Sequence, residues 1–114
     1  MNIWTTICQQ QDILPGCGIA ALWQGRQIAI FRPTSTGPLY ALDNIDPFAL
    51  ASVLSRGIIA EHQGEFWVVS PLKKQHFRLR DGLCMEDAAF SVDTFALRCI
   101  EGVIMISAAN NISD

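Results

Sequence analysis

A chain of 114 residues with a net charge of −3 fits one domain. A domain of that length buries roughly two-thirds of the surface its unfolded form exposes. The acidic balance gives no footing for nucleic-acid binding by the domain as a whole, and the longest apolar runs, such as Cys17 to Trp23, fall far short of the roughly 20 residues of a membrane-spanning helix. Hydrophobic residues make up 50% and charged ones 17%, where about 25% charged is usual. Two accounts fit that excess: a β-rich core whose strands are buried on both faces, which is the commoner, or an apolar patch that a partner covers.

Taken in order, Ile3 to Ile7 is β-branched and aromatic and reads as a strand. The start, Met1-Asn2-Ile3-Trp4, carries no basic n-region, so a cytoplasmic location is expected. Pro15-Gly16 signals a turn, and Gly18–Trp23 and Gln27–Arg32 are apolar runs joined as a hairpin through Gln24-Gly25-Arg26. After the loop 33–38, Leu39 to Leu42 returns as a strand. Asp46 is a favoured N-cap type and Pro47 suits a first helical position, which predicts two helical turns over Phe48–Ser55 ended by Gly57. Capping is then the preferred role for Asp46, over a catalytic one.

Ile58–Glu61, Phe66–Ser70 and Gln75–Leu79 follow as strands, with a turn at Gln63-Gly64-Glu65 and another opened by Ser70-Pro71. Alternation along the last puts Phe77 and Leu79 on one face and His76, Arg78 and Arg80 on the other. Asp81-Gly82 favours a two-residue hairpin turn. Thr94–Ile100 alternates, and Glu101-Gly102 turns the chain into Val103–Ser107. Eight or nine short strands with regular turn signals and one short helix predict an all-β sandwich or barrel, with residues 1–107 as one domain and 108–114 as a frayed tail.

Chemistry is sparse. Cys8, Cys17, Cys84 and Cys99 lie far apart, with no metal-ligand spacing. Apolar neighbours predict buried thiols, and Glu86-Asp87 beside Cys84 would raise its pKa rather than activate it. His62 and His76 have no histidine or cysteine at ligand spacing, so neither is expected to hold a metal or act in catalysis, and His62, in the turn Glu61-His62-Gln63-Gly64, is expected to be exposed. Trp23 and Trp67 read as core anchors, while Trp4 fits core or interface. Lys73, Lys74, Arg78 and Arg80 are four of the eight Lys and Arg residues and share a short window with His76. Such a cluster is either the solvated face of a strand or a docking surface for an acidic partner. No P-loop or G-x-G-x-x-G is present.

Two stretches carry a resemblance: Asn44-Ile45-Asp46-Pro47-Phe48, and Ser70-Pro71-Leu72-Lys73-Lys74-Gln75-His76-Phe77-Arg78-Leu79-Arg80-Asp81-Gly82. They resemble the two cluster-holding loops of Rieske-type domains, which read C-P-H and C-P-x-H before a Phe-x-Leu strand and a Gly turn. Leu54-Ser55-Arg56-Gly57 looks like the segment linking them. The resemblance implies a Rieske-like antiparallel β-sandwich with a small hairpin subdomain. The two cysteine positions, however, hold Asp46 and Ser70, and the two histidine positions hold Phe48 and Lys73. A Rieske cluster hangs on two thiolates and two imidazoles; phenylalanine has no lone pair, and lysine is an ammonium at neutral pH. The chain is expected to be colourless.

A Rieske-like chain with I-D-P-F, L-S-R-G, S-P-L-x-K-Q and G-x-C-x-E-D is similar to the small subunit of bacterial cytoplasmic NAD(P)H-dependent assimilatory nitrite reductase. That resemblance implies a non-catalytic, cofactor-free partner of a large subunit that carries FAD, an iron–sulfur cluster and sirohaem and reduces nitrite to ammonium. Two other readings stay open: an electron-transfer ferredoxin of the Rieske type, and a stand-alone ligand-binding or regulatory domain using the vacated cluster site.

Overall fold

The computed structural model describes residues 3–108, so the expected tail lies almost wholly outside the described residues. The strands, in chain order, are β1 (Thr5–Gln9), β2 (Cys17–Trp23), β3 (Arg26–Arg32), β4 (Tyr40–Asp43), β5 (Ile45–Asp46), β6 (Ala51–Ser52), β7 (Ile58–His62), β8 (Glu65–Val69), β9 (His76–Arg78), β10 (Thr94–Ile100) and β11 (Val103–Ser107). Short 3₁₀ turns stand at Gln10–Asp12, Leu54–Arg56 and Ala88–Phe90. The all-β expectation holds.

Six strands form one antiparallel sheet in the order β1-β11-β10-β4-β3-β2, while β7-β8-β9 and the β5-β6 hairpin build the subdomain. Three tight turns have positive φ at both central residues: Gln24-Gly25, Gln63-Gly64 and Glu101-Gly102. That backbone matches the twist of a two-residue hairpin, which explains X-Gly at each.

Alternation along β3 places the two cores. Ile28 and Ile30 pack with Trp23, Phe95, Ile104 and Ile106 on one side of the sheet. Ala29 and Phe31 face the other side with Leu42, Leu54, Val68 and Phe77. Fully burying one such large side chain contributes roughly 1.5–3 kcal/mol. Strands buried on both faces therefore account for much of the apolar composition. Trp23 and Trp67 are core residues, as expected, and Trp4 is half-buried beneath the Arg98 guanidinium, 4.2 Å from its ring centre.

Several local expectations need correction. The first strand runs Thr5–Gln9 rather than Ile3–Ile7. No α-helix covers Phe48–Ser55; the segment is the second half of the β5-β6 hairpin followed by the 3₁₀ turn Leu54–Arg56, which does end at Gly57. Asn44 decides this: its carbonyl accepts from the N–H groups of Val53 and Leu54, and its buried side chain accepts from Ser55 at 2.7 Å. Gly57 is needed for close approach, because a Cβ there would lie 2.4 Å from the Val69 carbonyl oxygen. Cys17 and Cys99 are exposed, not buried; only Cys84 is a core thiol.

Candidate functional site

Two loops meet at one end of the subdomain. Asp46, the last residue of β5, and Ser70, just after β8, are both completely buried. The Ser70 hydroxyl donates to Oδ2 of Asp46, in a hydrogen bond that joins the loops directly. Oδ1 of Asp46 accepts from the backbone N–H groups of Phe48 at 2.8 Å and Ala49 at 3.2 Å. The cap expected of Asp46 is therefore present, but it closes a hairpin turn instead of a helix. Ser70 is held in turn by its own backbone, through Ser70 N to Gln75 O at 2.9 Å and Lys74 N to Ser70 O at 3.1 Å.

The two loops share one geometry with a third. In each, four residues intervene, the N–H of the fourth donates to the carbonyl before the loop, and the fourth residue has positive φ. The bonds are Leu50 to Asp46 at 2.7 Å, Lys74 to Ser70 at 3.1 Å and Gly82 to Arg78 at 2.7 Å, with φ of 54°, 67° and 78°. The turn after β9 is thus a four-residue loop, Leu79–Gly82, rather than the two-residue turn expected at Asp81-Gly82. Gly82 fits its place for a second reason: a Cβ there would sit 2.0 Å from the Val92 carbonyl oxygen. Leu50 and Lys74 accept the left-handed backbone without being glycine, at a cost of about 1–2 kcal/mol each.

Phe48 stacks on Phe90, ring centres 4.6 Å apart, and leans against buried Phe77 at 6.4 Å. Phe90 is presented by the 3₁₀ turn that Asp87 caps, accepting from Ala89 N at 3.0 Å. Lys73 is exposed, and Lys74 Nζ donates to the Pro71 carbonyl oxygen at 3.2 Å.

The rest of the basic window is paired. Nδ1 of His76 lies 2.6 Å from Glu86, whose other oxygen accepts from the His76 backbone at 2.8 Å. Partial burial would raise the Glu86 pKa, but these two bonds outweigh it and hold the carboxyl below its usual range. Arg78 makes a two-pronged contact with Asp81 at 2.9 and 2.6 Å, which lowers the Asp81 pKa, and it lies over the Trp67 ring at 5.5 Å. Arg80 reaches Glu65 at 3.1 Å. His62 is exposed, as expected. Burial raises the Cys84 thiol and Glu86 adds to the effect, while backbone N–H groups oppose it; the direction is the one the sequence predicts.

Sequence reasoning overlooked Asn44, the Glu86 partner of His76, and the three exposed apolar side chains around this end, Leu50, Leu72 and Phe90. Asp81, read only as a turn residue, is also the Arg78 partner, which a spacing of three residues could have signalled, whereas Glu65 lies fifteen residues from Arg80 and gave no signal.

Residues 3–107 match the family described as "Rieske-like [2Fe-2S] domain". With the antiparallel sheet and the two opposed loops, this makes the chain a Rieske-like domain. Its loop residues do not fit the family's cluster: Asp46 and Ser70 are bonded to each other, Phe48 has no donor atom, and Lys73 offers an exposed ammonium. Among the described residues, no group of three or more His, Cys, Asp or Glu is arranged to hold a metal ion.

The small subunit of NADH nitrite reductase from Salmonella typhimurium is 59% identical, over 93% of this chain and 98% of its own length. The NMR structure of the Escherichia coli protein NirD superposes with a TM-score of 0.88 at 55% identity, covering 96% of this chain and all of that one. The chain belongs to the family of nitrite reductase (NADH) small subunits. A third relative, the nitrite reductase [NAD(P)H] large subunit of Klebsiella oxytoca, matches 90% of this chain at 39% identity within 11% of its own length.

Proposed function

We propose that this chain is the small, cofactor-free accessory subunit of a cytoplasmic NAD(P)H-dependent nitrite reductase that converts nitrite to ammonium in nitrate assimilation. It binds and supports a large subunit carrying FAD, sirohaem and an iron–sulfur cluster, and moves no electrons itself. The observation that carries this reading is the buried Ser70–Asp46 hydrogen bond, which occupies the two positions where a Rieske domain places thiolates. The Klebsiella large subunit supports the choice of partner, since a segment similar to this whole domain lies within that chain. Lys73, Lys74, His76, Arg78 and Arg80 are the candidate partner-binding residues, with the two lysines foremost because the other three already face carboxylates.

A ferredoxin role draws no support beyond the fold, and fold alone is weak evidence of activity. A ligand site at the vacated position is disfavoured by the mutual bond and complete burial of Asp46 and Ser70. The test is to purify the chain without oxygen, assay iron and record its visible spectrum, then reconstitute the large subunit with and without it. Negligible iron, no visible bands and higher activity or stability of the large subunit in its presence are expected. About two irons per chain would restore the ferredoxin reading.

A further inference from the structure

We infer that the end of the molecule built on the Asp46–Ser70 bond is the surface that seats the large nitrite reductase chain, against an apolar patch rimmed by carboxylates. The inference rests on the accessory-subunit reading and assigns it a place. Leu50 is 82% exposed, Leu72 54% and Phe90 41%. All three are tied to the same pair of loops. The Leu50 N–H donates to the Asp46 carbonyl, the Leu72 N–H lies 3.4 Å from the Ser70 hydroxyl, and Phe90 stacks on Phe48. The backbone that carries the patch is thus tied to the two loops before any partner arrives, and less ordering of backbone on docking means a lower entropy cost.

Backbone strain singles out the same place. Among the described residues, five other than glycine have positive φ. Gln24, Gln63 and Glu101 are polar and precede glycine in two-residue hairpins, where the turn itself demands that conformation. The remaining two, Leu50 and Lys74, are the fourth residues of the paired loops, where the equivalent position of the third loop holds Gly82. Glycine would relieve the strain at both. Instead one loop presents a nearly bare leucine and the other a lysine, and side chains kept outward at the expense of backbone comfort mark surfaces that bind.

Charge selects the occupant. The loop residues Pro47–Leu50 and Pro71–Lys74 contain no carboxylate, Asp87 beside Phe90 is engaged in capping its own turn, and among the described residues neither Lys73 nor Lys74 pairs with a carboxylate. A twofold contact between two copies of this chain would bring four lysine ammonium groups into one small interface, which disfavours self-association there. A different chain carrying apolar groups and carboxylates fits.

The experiment measures the affinity of the full-length chain for its large subunit at low and high salt. The variants are Leu50→Gly, Leu72→Ser and the pair Lys73→Glu with Lys74→Glu. Leu14→Ser, at an exposed leucine in the turn before β2, is the control. Leu50→Gly and Leu72→Ser should each weaken binding about tenfold or more, the loss expected when a leucine side chain is no longer buried against the partner. The lysine reversals should weaken it more at low salt than at high salt. Leu14→Ser should bind as the unaltered chain does. Leu50→Gly should melt no lower than the unaltered chain, so its loss of affinity is not a loss of fold. If the unaltered chain binds and all three variants bind equally well, this surface is wrong while the accessory role stands. If the unaltered chain fails to bind, both fall. If Leu50→Gly abolishes only self-association, the surface belongs to a second copy and the inference is overturned.

Discussion

The Ser70 hydroxyl and the Asp46 carboxylate, 24 residues apart in sequence and both sealed from solvent, hold two loops together through one hydrogen bond. Removing either partner strands the other. Ser70→Ala leaves a buried carboxylate oxygen without its donor, a loss of about 1–3 kcal/mol. Asp46→Ala also frees the N–H groups of Phe48 and Ala49 and should cost more than Ser70→Ala. Urea denaturation of the three proteins gives the comparison; unchanged midpoints for both variants would show that the bond contributes nothing to stability.

The third loop makes the opposite case from Leu50. At Gly82 an added Cβ meets the Val92 carbonyl oxygen at 2.0 Å, on a backbone already at φ 78°. Gly82→Ala should therefore cost about 2–4 kcal/mol, combining backbone strain with a forced shift of the strand-leading segment. Thermal melting tests this, and a variant as stable as the parent would mean that the loop relaxes freely.

Acid should loosen the end of β9. The Arg78 guanidinium donates two hydrogen bonds to Asp81 and holds its pKa below the ordinary carboxylate value. A carboxyl with a lowered folded pKa takes up its proton more readily in the unfolded chain. Its stabilising contribution is thus fully present above the unfolded value of about 3.9 and is lost as pH falls through the folded pKa. Asp81→Asn should be less stable than the parent at neutral pH, with the gap closing in acid. A gap that is constant with pH would rule out the ion pair as its source.

The four thiols should differ in reactivity. Cys17 and Cys99 are exposed, Cys84 is buried, and burial with Asp12 and Cys99 nearby pushes Cys8 up to about 11. At mildly alkaline pH only about a thousandth of Cys8 is then thiolate, the reactive form. Brief alkylation of the folded chain followed by mass mapping should label Cys17 and Cys99 and spare Cys8 and Cys84. Early labelling of Cys84 would contradict its place in the second core.

What was readable from residues alone was whatever short-range chemistry decides. The unbroken apolar run Ile28-Ala29-Ile30-Phe31, bounded by turn signals, marks a strand, and Gln-Gly or Glu-Gly marks each tight hairpin. Asp46 was legible as a capping group because its carboxylate bonds to N–H groups two and three residues on. The helix predicted after it fails because the competing bonds come from a distance: Asn44 takes Val53, Leu54 and Ser55 away from a helical ladder. Cys17 and Cys99 have apolar neighbours in sequence, yet a strand alternates its faces, so neighbours say little about which way a given thiol points. The exposed Leu50 was invisible for a similar reason, since only the closed loop shows that its side chain is turned out.

A hydroxyl and a carboxylate come with the polypeptide itself, whereas a metal centre has to be delivered and inserted. On the accessory-subunit reading proposed above, a domain clasped by Asp46 and Ser70 would reach its working shape as soon as it folds, with no wait for iron. On that same reading, iron starvation would hold up the larger chain, for which the cofactors are proposed, and leave its companion ready-made.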